Sequence, residues 1–446
     1  MVPQRPTGGS SGGAVSLPTV PEPAEKQRRK IIKKLILILM PLLLLAALFL
    51  QNGNALEAPE LSKNPILYLS KETGMESPQG VKLKSRAEKL LSQMSLEETV
   101  GQMFIVHPEA LDPDYREYTI PEQKDGGTVM MNDSFKEKMQ FYNPGGILLF
   151  SANIVTPEQT TKLISDMQKV SDIPLFIAVD EEGGSVARIS GKKAFDIPDL
   201  CNAEDVADAK EAFDRGEYIG SYLKKYGFNC NFAPVADLNT NPANRVIGKR
   251  AFGKNPIMVG SLVANEIRGM QEHNIITATK HFPGHGDTRG DTHRSTVYVT
   301  KNWEELLECE IIPFQKAMNA GTDMIMVAHI SAENVTHDGL PASLSKTMIT
   351  GKLREELGFN GVIVTDSMEM GAIESIYDSA EASIMTILAG SDIVLLPPDY
   401  ISAYNGLLAA VQTGRIPESR IDESVLRILQ LKEKYGLLDD ISFTEQ

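Results

Sequence analysis

Three stretches of this chain crowd reactive side chains together. The first is Val179-Asp180-Glu181-Glu182-Gly183-Gly184, with Arg188 just beyond it. The second is Lys280-His281-Phe282-Pro283-Gly284-His285-Gly286-Asp287, which runs on to Asp291-Thr292-His293. The third is Thr365-Asp366-Ser367-Met368-Glu369-Met370. Asp237 and Arg250 stand between the first two. A short carboxylate at a fixed backbone position can attack an electrophilic carbon, and it can equally cap the helix that follows. Imidazole, with a pKa of about 6.5, gives and takes a proton near neutrality, and an Asp-x-His pair lets the carboxylate orient the ring if the loop turns there. His281, His285, Asp287, Asp291 and His293 also resemble a metal-ligand set. Against that, Pro283 and the glycines around it suggest a loop built for its shape. His107 and His329 match no catalytic pattern, His285 reads as a loop-shaping residue, and Asp237 reads as either a ligand or an anchor.

Each reactive stretch follows a short apolar run. Eight such runs recur, near Met103–Val106, Gly146–Phe150, Leu175–Val179, Cys230–Val235, Ile275–Lys280, Met324–Ala328, Val362–Thr365 and Ile393–Leu396. Amphipathic stretches separate them: Pro157–Val170, Ala203–Tyr226, Val259–His273, Trp303–Asn319, Lys346–Leu357 and Ala380–Ala389, with Glu418–Tyr435 at the end. Alternation of this kind predicts βα units and a parallel sheet. Eight units suit an α/β fold of the (β/α)8 TIM-barrel type, in which chemistry gathers at the C-terminal ends of the strands. An open doubly wound sheet is the runner-up, but it would show a Gly-rich turn after its first strand, and none is present. The insertion around Asp112–Asp133 follows strand one, which puts it near the barrel mouth.

The two ends of the chain differ in charge. Residues 1–34 carry seven Lys/Arg and two Asp/Glu, a net of +5, whereas the remainder carries 37 basic and 57 acidic residues, a net of −20. So acidic a body argues against a nucleic-acid partner, which needs a basic face. Residues 1–30 are rich in Gly, Ser and Pro and read as a disordered cytoplasmic tail. The basic cluster Lys26–Lys34 precedes Leu35–Leu50, which is free of charge. Residues 31–52 approach the ~20 residues that span a bilayer and are read as a transmembrane anchor, with the positive flank inside the cell and the catalytic body outside. A secreted form cleaved after Ala55 is the alternative. Residues 53–82 read as a linker, 83–438 as the barrel and 439–446 as a tail. The three cysteines, Cys201, Cys230 and Cys309, are odd in number and widely spaced, so they form neither a disulfide framework nor a zinc site.

KHFPGHGDTRGDTH, with VDEEGGSVAR before it and TDSMEM after it, resembles glycoside hydrolase family 3 over about residues 85–437. More narrowly it resembles the β-N-acetylglucosaminidase branch that trims peptidoglycan, in its single-barrel form without the second domain of larger members. The resemblance implies retaining hydrolysis of terminal β-linked N-acetylglucosamine from peptidoglycan-derived glycans, without metal or cofactor. It implies that Asp366 is the nucleophile and that His293, paired with Asp291, is the acid/base in place of the usual second carboxylate. It also implies that Asp180, Arg188, Arg250, Lys280 and His281 hold the sugar. Other readings remain: a β-glucosidase of the same family, a phosphorylase in which a neutral His admits phosphate, a substrate-assisted hexosaminidase using Asp180-Glu181, a metallohydrolase, and a wall-binding barrel without activity.

Overall fold

The computed structural model describes residues 84–116, 120, 122–123, 126–288, 292 and 297–443. The N-terminal tail, the anchor and the whole linker read from the sequence therefore lie outside the described residues, as do Asp291 and His293. Among the described residues no helix is long and apolar enough to cross a membrane.

Among the described residues ten strands occur in chain order: β1 Phe104–Val106, β2 Gly146–Leu148, β3 Phe176–Val179, β4 Cys230–Asn231, β5 Ile276–Phe282, β6 Val297–Tyr298, β7 Met324–Val327, β8 Ile330–Ser331, β9 Val362–Thr365 and β10 Val394–Leu395. Eight of them pair in the order β10-β1-β2-β3-β4-β5-β7-β9, every pair parallel. A parallel bridge between Val364 and Ile393 joins the two ends, so the sheet closes into a barrel. The eight apolar runs of the sequence supply these eight strands. β6 and β8 form a separate short parallel pair.

The barrel strands are buried along their whole length. This is why they read as continuous apolar runs rather than alternating ones: helices cover the outside of a parallel sheet while side chains fill its inside. Phe104, Phe176, Phe232 and Phe282 are all fully buried. Two helices after β3 and β4, Ala209–Lys225 and Pro256–Gln271, touch backbone to backbone because glycines line the contact. A Cβ on Gly216 would stand 2.3 Å from the Glu266 carbonyl oxygen, and one on Gly269 would stand 2.2 Å from that of Phe213.

Several helices depart from the expected limits. The stretch Ala203–Tyr226 is a 3₁₀ turn, Ala203–Asp205, followed by a helix that begins only at Ala209, because Asp208 caps it by accepting from the Lys210 and Glu211 amides. Trp303–Asn319 is two helices, Trp303–Leu307 and Ile311–Ala320. Pro313 lies in the first turn of the second, where a missing N–H costs nothing. Thr347–Glu356 is wound as a π-helix. At the chain end, Arg86 donates to the carbonyls of Leu438, Asp439 and Ile441, while Ile441 and Phe443 pack on the core.

Candidate active site

A cavity of about 470 Å³ opens at the C-terminal end of the barrel. Asp180 and Glu182 enter it from the end of β3, Lys280 and His281 from β5, and Asp366, Ser367, Glu369 and Met370 from the turn after β9. Arg188 reaches in from the loop after β3, and Arg250 from the 3₁₀ turn Gly248–Arg250. Apolar walls come from Leu148, Phe150, Met326, Leu395 and Leu396. Six of the eight residues singled out from the sequence thus line one cavity: Asp366, Asp180, Arg188, Arg250, Lys280 and His281. The other two, Asp291 and His293, flank Thr292, which also lines it.

Strand alternation sorts the three adjacent acids. Asp180 and Glu182 line the cavity, whereas Glu181, fully buried, faces away. The Glu181 carboxylate accepts from the amides of Arg188, Ile189 and Ser190 and from the Tyr222 hydroxyl, so it holds the loop that carries Arg188. The pair Asp180-Glu181 therefore does not present two carboxylates to a bound sugar, which removes the geometry that substrate assistance requires.

Glu182 is the hub of the polar floor. Its carboxylate accepts a two-pronged bond from Arg250, at 2.8 Å from Nε and 2.7 Å from Nη2, and it stands 2.7 Å from Lys280 Nζ. Lys280 also donates to Asp180 at 2.6 Å. Burial alone would raise the Glu182 carboxyl, but the Arg250 and Lys280 charges overwhelm it and hold the group far below the usual carboxylate range. Burial alone would lower Lys280, but Asp180 and Glu182 outweigh it and keep the ammonium protonated. The sequence reading left Glu182 without a role.

His281 is held from two sides. Its Nδ1 lies 2.6 Å from Asp237, and its Nε2 lies 3.3 Å from Arg250 Nη2. A guanidinium only donates, so Nε2 accepts and Nδ1 donates to Asp237. Asp237 also accepts from the His285 amide and is buried, which makes it the anchor of the loop after β5. His285 lines the cavity with its ring between Thr288 and Thr292. Asp287 turns instead toward Thr240 and Lys301. Among the described residues, no three His, Cys, Asp or Glu gather as a metal site would require.

Asp366 follows β9 directly. Its amide donates to the Val327 carbonyl, and its own carboxylate accepts from the Ser367 amide at 2.8 Å. Burial pushes this carboxyl up, but the His281 and His329 imidazoles, the Ser367 amide and Lys280 together hold it below its usual value. It is a carboxylate at neutral pH. His329, which the sequence reading set aside, hydrogen-bonds the Ser367 carbonyl through Nε2 at 2.8 Å and Ser343 through Nδ1 at 2.7 Å, and so steadies the turn that carries Asp366. The Thr292 carbonyl accepts from the Ala372 amide, tying the loop after β5 to the same turn. Among the described residues the buried Nε of Arg188 has no hydrogen-bond partner, and its guanidinium lies 5.8 Å from the Phe150 ring centre. The floor therefore combines an ionised carboxylate, three cations and further acceptors beside apolar walls, a lining able to hold a polyhydroxylated ring.

The Glycosyl hydrolase family 3 N terminal domain matches residues 95–431. A beta-hexosaminidase A of Pseudoalteromonas piscicida is 32% identical over 358 residues, covering 72% of this chain and 59% of that protein. A beta-hexosaminidase of Hydrogenovibrio crunogenus is 33% identical, covering 64% of this chain and 81% of that protein. Among solved structures, a family 3 beta-N-acetylglucosaminidase from Paenibacillus sp. str. FPU-7 is 34% identical with a TM-score of 0.70, covering 79% of this chain and 65% of that one. The chain thus spans about three fifths of the Pseudoalteromonas protein and just under two thirds of the Paenibacillus chain. By the extent of the match and by the barrel that carries it, the chain belongs to glycoside hydrolase family 3.

Proposed function

We propose that this protein is a β-N-acetylhexosaminidase that removes terminal β-linked N-acetylglucosamine from peptidoglycan-derived glycans with retention of configuration. The observation that carries the reading is the convergence of ionised Asp366 with Asp180, Arg188, Arg250, Lys280 and His281 in one cavity at the strand ends. The named activities of the similar proteins point the same way.

In this mechanism the sugar sits over the polar floor, its hydroxyls bonding Asp180, Lys280 and Arg250, with Arg188 beside them at the cavity wall. Asp366 attacks the anomeric carbon as the bond to the leaving oxygen breaks. His293, oriented by Asp291, gives that oxygen a proton and then takes one from the water that releases the sugar from Asp366. A low pKa suits the first step, because a nucleophile must be ionised before it attacks. We further propose that residues 31–52 anchor the barrel outside the cell membrane, on the strength of the basic flank and the uncharged run after it. Protease treatment of spheroplasts should then digest the barrel, and its protection would refute this placement.

The purified protein should release aryl aglycone from a β-N-acetylglucosaminide at least ~100-fold faster than from a β-glucoside, a selectivity that contacts to one substituent can supply. The rate and the product should be the same with or without phosphate. Preference for the glucoside would overturn the sugar assignment, and formation of a sugar 1-phosphate would make the enzyme a phosphorylase.

A further inference from the structure

One lining residue has no part in the mechanism above. Glu369, three residues after Asp366, stands at the rim of the cavity and is partly exposed. Its Oε1 lies 3.0 Å from Nε2 of His107, at the end of β1. The other ring nitrogen of His107 lies 3.2 Å from Glu109, which is itself fixed by the Thr128 amide and Asn153. The turn after β9 is thereby clasped to β1 across β10. Burial alone would lower the His107 pKa, but the two carboxylates raise it to about 9; Nε2 donates to Glu369, while Nδ1 lies within reach of both Glu109 and the Ala110 amide.

The clasp has a definite place in the barrel. In the closed order of eight strands β10 stands opposite β4. The neighbours of β4, strands β3 and β5, carry Asp180, Glu182, Lys280 and His281. With a sugar ring held on that side, the leaving group departs from the face of the anomeric carbon opposite Asp366, toward the open mouth, and Glu369 stands on the rim of that mouth beside β9, β10 and β1. One oxygen of Glu369 is taken by His107, and among the described residues the other stands as an acceptor at the rim.

We propose that Glu369, positioned by His107, reads the leaving group: it accepts from a hydroxyl or an amide N–H and repels a carboxylate next to the scissile bond. This rests on the hydrolase reading above and narrows its substrate class. Leaving sugars without a charge at that point, such as N-acetylglucosamine or a muramic residue whose lactyl group is capped as an amide, are favoured over one with a free lactyl carboxylate. Like charges brought face to face at a recognition site are strongly selected against.

The test is a matched pair of substrates cut by the full chain: N-acetylglucosaminyl-β-1,4-N-acetylmuramic acid and its lactyl methylamide, which differ in that charge. Wild type should cut the amide with a kcat/KM roughly tenfold higher. Glu369→Gln should bring the ratio toward unity. His107→Gln, which leaves the carboxylate in place but unclasped, should lower the ratio by a smaller factor, roughly threefold. Equal rates in wild type, or a preference that persists unchanged in Glu369→Gln, overturn the proposal while leaving the hydrolase reading intact. Failure of wild type to cut any β-N-acetylglucosaminide, the aryl glycoside included, overturns both.

Discussion

At the scale of single residues, the site is governed by which of three neighbouring acids faces which way. Glu182 neutralises Arg250 inside the barrel and shares Lys280 with Asp180, so without its charge Arg250 would be uncompensated and Lys280 would keep one carboxylate partner. Glu182→Gln should therefore cost about 3 to 5 kcal/mol of stability at pH 7, the range for breaking a buried pair, measured by urea unfolding. The folded pKa of Glu182 is depressed, so its contribution is present above the ordinary value of 4.5 and is lost as pH falls through the folded value. The gap between wild type and variant should narrow in acid and stay constant from pH 6 to 8. The sequence held the clue to this hub. A strand has a period of two, so the residue beyond Asp180 and Glu181 returns to the face of Asp180. Resemblance drew attention to Asp180 and passed over Glu182, because Glu182 binds other side chains rather than matching a sugar contact. His329 escaped for a similar reason, since its partner is a backbone carbonyl that no sequence spacing reveals.

At the scale of elements, strands were legible and helix limits were not. An apolar run bounded by polar loops marks a doubly covered strand wherever it occurs, and all eight runs became barrel strands. Helix starts depend on one capping side chain, as at Asp208, whose carboxylate accepts from the Lys210 and Glu211 amides. The loops that bear function are held by buried polar groups from neighbouring elements. Glu181 and Tyr222 secure the 183–190 loop, and Asp237 secures the one after β5. Tyr222→Phe removes one buried hydrogen bond and should cost about 1 kcal/mol. Glu181→Gln strips a charged acceptor from three amides and should free Arg188, raising KM by roughly tenfold with a smaller change in kcat, as expected when a ground-state contact is lost. An unchanged KM would show that Arg188 does not hold the substrate. A side chain on Gly286 is excluded outright, for its Cβ would lie 1.7 Å from the Leu238 carbonyl oxygen.

At the scale of the whole molecule, the barrel separates its chemistry from its foundations. Cations and carboxylates balance one another at the mouth, whereas the last helix, Glu418–Lys434, buries Lys432 with, among the described residues, only Gln102 as a hydrogen-bond partner and the Phe176 ring beneath it. Burial lowers the pKa of this lysine to about 7. The cost of burying its charge is full below that value and is relieved as pH rises from 7 toward the ordinary 10.5, because the unfolded chain then binds the extra proton. Lys432→Met should accordingly stabilise the fold by about 1 to 3 kcal/mol at pH 6, with the gain fading toward pH 9 in thermal unfolding. A loss of stability at pH 6 would mean that the ammonium is better compensated than its contacts indicate. The overall plan was readable from the alternation of strand and helix, but the fate of Lys432 was not, since only the assembled fold decides which face of the final helix meets β3.

The central claim is that Asp366 carries the sugar covalently. Incubation with 5-fluoro N-acetylglucosaminyl fluoride, followed by proteolysis and mass spectrometry, should place the label on the peptide that holds Asp366, while Asp366→Ala should lose activity on an aryl β-N-acetylglucosaminide by a factor of about 1,000 or more. A label on another carboxylate, or an Asp366→Ala variant that keeps most of its activity, would contradict the account.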